Sequence, residues 1–139
     1  MRIVLANGVF DLLHPGHIAH LQECREMGDF LIVSLTLDEH VNKGPHRPIY
    51  RWEDRALLLR SLRMVDQIVP AAIGSDAILK WRPHIYVKGR DYTHTPIPEH
   101  VVEACRAVGA QIRYTTAPIM SASATILKVM KNDHPADVA

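Results

Sequence analysis

The sequence predicts an α/β fold: a five-stranded parallel sheet, doubly wound, with helices on both faces. Three observations carry this. Short apolar runs recur along the chain, each the length of one buried strand. Between them lie longer stretches with apolar residues at helical spacing. Gly and Pro stand at the joins. Strand alternating with helix favours parallel strands covered on both sides, joined by right-handed crossovers. If the strand order is 3-2-1-4-5, the first and fourth strands flank the switch point where ligands bind.

Each element follows in order. Ile3 to Ala6 is the first strand. Pro15 suits the first position of a helix, where a missing N–H costs nothing, and this helix runs to about Met27 with Gly28 as its stop. Phe30 to Leu35 is the second strand. Asp38 to Tyr50 is polar, contains Gly44, Pro45 and Pro48, and reads as a long loop. Trp52 to about Arg63 is helical, with Leu58, Leu62 and Val65 along one stripe. Gln67 to Val69 is a strand, and Gly74 to Trp81 a short helix that Ser75 can cap. Ile85 to Val87 is the fourth strand. Pro98 to Val108 is a helix with Val101, Val102, Cys105 and Val108 inward, ended by Gly109. Gln111 to Tyr114 is the last strand, and a helix from about Ser123 to Lys131 closes the fold. Residues 1–131 are expected to form one domain and 132–139 a loose tail.

Composition narrows the class. The chain has 139 residues, 47% hydrophobic and 22% charged, with net charge +1. That is a globular composition and offers no bulk electrostatic case for nucleic acid or an anionic membrane. No apolar run approaches the roughly 18 residues needed to span a bilayer, and the N-terminus lacks a signal-peptide pattern. A cytoplasmic location is expected. Cys24 and Cys105 fall on apolar helical faces, as reduced core thiols do. No G-x-G-x-x-G follows the first strand and no P-loop occurs, which argues against a dehydrogenase or a P-loop kinase.

The chemistry concentrates at Asn7-Gly8-Val9-Phe10-Asp11-Leu12-Leu13-His14-Pro15-Gly16-His17. With Pro15 at the first helical position, His14 is the N-cap and His17 lies one turn in. Residues three apart share a face, so both imidazoles flank a helix N-terminus, where free N–H groups attract anions. Gly8 and Gly16 allow a bulky anion close to the backbone. This describes a phosphate-handling site. His17 and His20 at helical spacing also suggest a metal, but no Cys or acidic ligand joins them, so no metal site is expected.

Gly8-x-Phe10-Asp11-x-x-His14-x-Gly16-His17 resembles the signature of the cytidylyltransferase-like nucleotidyltransferases. The resemblance spans Arg2 to about Lys131. It implies a Rossmann-like sheet and assigns Gly8, Val9, Phe10, Asp11 and Gly16 to the nucleotide. It further implies a basic loop, here with Lys43 and Arg47, followed by Glu-x-Arg, matched by Glu53-Asp54-Arg55. Lys88-Gly89-Arg90-Asp91-Tyr92, leaving the fourth strand, resembles the adenylyltransferase module that makes nucleoside-diphosphate heptoses. Lys88 comes off a buried strand and can hold a phosphate of either substrate. Gly89 and Asp91 are assigned to the nucleotide, Tyr92 and Arg47 to the acceptor. Ser121, Ser123 and Thr125 stand where related enzymes carry a Ser/Thr-rich phosphate motif, although alanines replace some hydroxyls. The Arg-Thr-Glu-Gly of glycerol-3-phosphate cytidylyltransferases is absent, with Ala117-Pro118-Ile119-Met120 in its place.

The expected reaction is in-line attack of a phosphorylated acceptor on the α-phosphorus of a nucleoside triphosphate, with His14, His17 and Lys43 as the catalytic residues and Arg55 neutralising phosphate charge. ATP and a sugar phosphate of heptose type are the expected substrates. The alternatives are a cytidylyltransferase acting on glycerol 3-phosphate or another phosphorylated alcohol, and a non-catalytic nucleotide sensor. Magnesium is expected through the triphosphate oxygens. The resemblance implies a homodimer.

Overall fold

The computed structural model describes residues 1–89, 96–118 and 122–132. The elements are β1 (Ile3–Gly8), α1 (Pro15–Glu26), β2 (Phe30–Thr36), a 3-10 turn (Asp38–His40), α2 (Trp52–Arg60), β3 (Gln67–Ala71), α3 (Gly74–Trp81), β4 (Ile85–Lys88), α4 (Glu99–Val108), β5 (Gln111–Tyr114) and α5 (Ala122–Asn132). All five strands pair in parallel, in the order β3-β2-β1-β4-β5. This is the doubly wound arrangement with the predicted order, and β1 and β4 flank the switch point. Pro70 lies within β3, an edge strand where a missing donor is tolerated.

Alternation along the strands divides the core in two. Val4, Ala6, Ile85 and Val87 face one way and pack with Leu21, Cys24, Ala56 and Leu59 of α1 and α2. Leu5, Ile32, Val69 and Tyr86 face the other and pack with Ile78, Val101 and Cys105 of α3 and α4. Both cysteines are free and buried, and burial pushes the Cys24 thiol up to about 12.

Several local expectations need correction. α2 stops at Arg60, not near Arg63, because the Ser61 N–H already turns back to the carbonyls of Leu58 and Leu59. Its inward face carries Arg55, Ala56 and Leu59, while Leu58 is 40% exposed. Leu62 and Val65 still reach that core from the following turn. Ser75 does not cap α3: it is buried inside the helix, and the Asp76 carboxylate accepts the Ile73 N–H at 3.2 Å. In α4 Ala104, not Val102, joins Val101 and Cys105 inside. Gly109 ends that helix in the left-handed region, φ +74°. Gly28 has another reason to be glycine: a Cβ there would lie 2.7 Å from the Arg2 carbonyl oxygen. Residues 133–139, most of the expected tail, lie outside the described residues, and Asn132 ends α5. Among the described residues no helix is long and apolar enough to cross a membrane.

Candidate functional site

The segment between β1 and α1 is under backbone strain. Phe10 and Leu12 adopt positive φ, +48° and +53°, a conformation unusual for large side chains and concentrated at functional sites. The Phe10 ring folds back over Gly8, where any Cβ would lie 2.7 Å from it. The same ring meets His17 edge-on, with centroids 5.4 Å apart at 62°. Gly8 is therefore needed for close packing in the motif.

His14 is the N-cap of α1, and His17 stands at the third helical position. Each imidazole caps the other's backbone. The His17 N–H reaches His14 Nδ1 at 3.3 Å, and the His14 N–H reaches His17 Nδ1 at 3.3 Å. The rings stack with centroids 3.7 Å apart and planes inclined by 17°. A neutral imidazole that accepts at Nδ1 carries its proton on Nε2. The capping arrangement thus turns both Nε2 atoms into donors. His14 Nε2 is buried and has no partner among the described residues. A buried donor without an acceptor is costly.

Both rings are held neutral. Burial pushes His17 down to about 4, reinforced by the charges of His14, His20 and Lys43 and opposed by Asp11. Burial also lowers His14, with Lys43 acting in the same direction. The exposed Lys43 therefore lies within electrostatic reach of both imidazoles.

The other expected cations are used differently. Arg55 is 0% exposed. Its Nη1 donates to the Val9 carbonyl at 2.8 Å, its Nε to the Tyr50 carbonyl at 3.0 Å, and its Nη2 pairs with Asp38. The phosphate contact expected of Arg55 is replaced by a brace that ties α2 to the motif. Asp11 is 2% exposed. It accepts the N–H groups of Ile49 and Tyr50, and its carboxylate pairs with Arg47 Nε at 3.1 Å. These two groups fasten residues 47–50 to the strained motif, so neither displays its charge to solvent as a direct ligand contact would require. Val9 contributes its carbonyl to this brace, and Gly16 is buried in the first turn of α1.

Lys88 ends β4 and is 8% exposed, with Nζ 5.7 Å from the centroid of the Tyr86 ring. Gly89 follows it, half-buried. Asp91, Tyr92 and Ser121 lie outside the described residues, as do the side chains of Ser123 and Thr125, whose backbone forms the first turns of α5. Among the described residues no three His, Cys, Asp or Glu side chains group to hold a metal.

Sequence reasoning missed Asp38 and Glu23, and weighed a role for His20 only as a metal ligand. His20 Nδ1 lies 2.6 Å from Thr115 Oγ1. The Glu23 carboxylate accepts the N–H groups of Thr116 and Ala117 at 2.9 and 2.8 Å. His20 and Glu23 lie one turn apart on α1, and both reach the residues that follow β5.

A family model described as Cytidylyltransferase-like matches residues 5–136. The bifunctional protein HldE of Helicobacter pylori (strain J99) is 38% identical over 126 residues, covering 86% of this chain and 27% of that protein. HldE of Chromohalobacter salexigens is 40% identical over 118 residues, covering 81% and 24%. The chain thus spans about a quarter of the length of these relatives. Among solved structures, the lipopolysaccharide core biosynthesis protein from Thermoplasma volcanium superposes with TM-score 0.70 at 26% identity, covering 87% of this chain and 99% of that one. Pantothenate synthetase from Thermus thermophilus, at 16% identity and TM-score 0.53 over 88% of this chain and 58% of its own, shares the fold. A match that begins inside β1 and continues past α5, over a helix start suited to phosphate, leads to one assignment: the chain belongs to the cytidylyltransferase-like family and is a nucleotidyltransferase.

Proposed function

We propose that the chain transfers AMP from ATP to a sugar phosphate of the heptose 1-phosphate type and releases pyrophosphate. The observation that carries the site of reaction is the mutually capped pair His14 and His17, whose Nε2 donors are both neutral. The choice of ATP and a heptose phosphate is supported by similarity to HldE and by Lys88-Gly89-x-Asp91-Tyr92.

An oxygen of the acceptor phosphate attacks the α-phosphorus. That bond forms as the bond from the α-phosphorus to the bridging oxygen breaks, and pyrophosphate leaves with the electron pair. The nucleophile is already anionic at neutral pH, so the protein has positioning and charge stabilisation to supply. His14 and His17 donate from Nε2 to the α-phosphate and bridging oxygens as charge builds. Fixed neutral donors need no reorganisation during the reaction. Lys43 adds positive charge to the same phosphates. Lys88 aligns the acceptor. Arg55, Asp11 and Arg47 act indirectly, by holding the segment that carries Lys43. Asp91, Tyr92, Ser121, Ser123 and Thr125 remain candidate substrate contacts. Magnesium would be held mainly by the triphosphate oxygens and would neutralise their charge; no described residue is assigned to hold it. A cytoplasmic homodimer belongs to the same proposal.

The test is pyrophosphate release with ATP, CTP, GTP and UTP, each against heptose 1-phosphate, other sugar 1-phosphates and glycerol 3-phosphate. Turnover is expected with ATP and the heptose phosphate. Turnover with CTP and glycerol 3-phosphate instead makes the chain a cytidylyltransferase of phosphorylated alcohols. A nucleotide that raises the melting temperature without turnover on any acceptor makes it a sensor.

A further inference from the structure

Three polar side chains stand side by side at the ends of β2, β1 and β4, on the face covered by α3 and α4. Register sets Asn7 beside Ser34 and Ala6 beside Val87, which brings Lys88 level with Asn7. Their neighbours on this face, Leu5, Ile32 and Tyr86, belong to the apolar core. Polar groups placed there are costly unless they satisfy one another. With the Asn7 amide turned so that both its ends are matched, its nitrogen donates to the Ser34 carbonyl at 3.1 Å and to Ser34 Oγ at 2.7 Å. Its oxygen accepts from Lys88 Nζ at 3.3 Å.

We propose that Asn7 is a positioning residue: its amide bridges Ser34 and Lys88 and aims the Lys88 ammonium at the acceptor's phosphate, on the side of the strand ends opposite the histidines. The acceptor part of this rests on the function proposed above. Two observations support the aim. With the amide so turned, the Asn7 oxygen and the Tyr86 ring both restrain Lys88, so less side-chain freedom remains to be lost on binding. The first turn of α3 sits against the row: a Cβ on Gly74 would lie 3.7 Å from both the Asn7 amide and the Tyr86 hydroxyl. The positive end of that helix and the ammonium therefore favour an anion at one place. His14 and His17 belong to the other side, where Phe10 packs into the core beneath α1 and α2. In-line displacement needs the entering and leaving oxygens on opposite sides of the phosphorus. Holding the donor from one face and the acceptor from the other meets that need.

Two measurements on the full chain decide this. The first needs no substrate. In a 1H–15N spectrum of lysine ammonium groups, Lys88 should give a protected Nζ signal. Asn7→Ala should lose it, while Asn7→Asp, which keeps an oxygen toward Lys88, should retain it. A Lys88 signal that is absent from the unaltered protein, or unchanged in Asn7→Ala, overturns the proposal. The second is steady-state kinetics with ATP and heptose 1-phosphate. Asn7→Ala should raise KM for the sugar phosphate about tenfold and leave KM for ATP within about twofold, with Asn7→Asp partly restored. Lys88→Ala should show the larger loss, and adding Asn7→Ala to it should cost little more, because residues acting through one another are not additive. Full additivity, or a loss that falls on KM for ATP, overturns the proposal. If the unaltered chain turns over no sugar phosphate, the acceptor assignment fails, and the ammonium spectrum still decides whether Asn7 holds Lys88.

Discussion

His14 and His17 lie three residues apart and hold each other through one turn of helix. Arg47 and Arg55 were expected to do comparable work from the segment before and into α2, yet their contacts hold that segment itself. Both regions are rich in groups that bind phosphate. They differ in what fixes the side chains. In α1 the helix start alone determines where two imidazoles point, and no distant residue is needed. Between the 3-10 turn and α2, residues 41–51, the backbone follows no regular path, and its polar groups need partners. The arginines satisfy carbonyls of Val9 and Tyr50 and carboxylates of Asp11 and Asp38. Cationic residues in such a segment are as readily used to build the site as to touch its ligand.

The comparison breaks first at Arg55. Arg55→Met removes the brace and leaves the Val9 and Tyr50 carbonyls and the Asp38 carboxylate without their donor. Asp38 is 40% exposed and can turn to water, so the cost comes from the two carbonyls left without a donor and should be about 2 kcal/mol of folding free energy, read from urea unfolding. A variant of unchanged stability with poor ATP affinity would return Arg55 to the ligand. Next comes His17→Ala. Turnover should fall about a hundredfold or more, as when a donor to developing charge is removed. Folding should lose only about 1 kcal/mol, the worth of a capping contact. Near-normal turnover would take His17 out of the chemistry. Lys43→Ala sharpens the contrast within its own segment, because Lys43 is exposed and acts on the imidazoles through its charge. It should lower kcat/KM about tenfold, the equivalent of about 1.4 kcal/mol, with no change in unfolding midpoint.

What was legible follows the same division. The strand order could be inferred because alternating strand and helix leaves few arrangements for a parallel sheet. The histidine pair could be read because Pro15 fixes the helix start. The stripe of α2 came out one residue off, Leu58 for Leu59, because nothing in the sequence announces that an arginine, Arg55, occupies a buried position on that face. Ser75 looked like a cap, but Asp76 reached the free N–H first. Asp11 was expected to contact the nucleotide, whereas its carboxylate is engaged within the protein. Its partners Arg47, Ile49 and Tyr50 lie 36 to 39 residues away, and such pairings are made by tertiary structure, not by local pattern.

The last test isolates the histidine pair by pH. Unfolded, His17 takes up a proton near the ordinary value of about 6.5. Folded, it stays neutral down to about 4, and His14 is displaced in the same direction. Between those values the unfolded chain binds more protons than the folded one, so stability must fall as the pH is lowered from about 6.5 to about 4. Below that range His17 is protonated in both states and adds no further slope. The structural reason is direct: a proton on Nδ1 would abolish its acceptance of the His14 N–H. Glu23 does not confuse the window. Its contacts with Thr116 and Ala117 lower its pKa below the usual carboxylate value, so its contribution is lost only at more acid pH. His17→Gln keeps an oxygen at the third helical position to accept the cap and removes the titration. Urea midpoints at pH 7.5, 6.5, 5.5 and 4.5 should therefore decline less steeply in His17→Gln than in the unaltered chain. Equal slopes in the two proteins would mean that the imidazole is not held neutral by its cap and its burial, and the case for a preformed Nε2 donor would go with it.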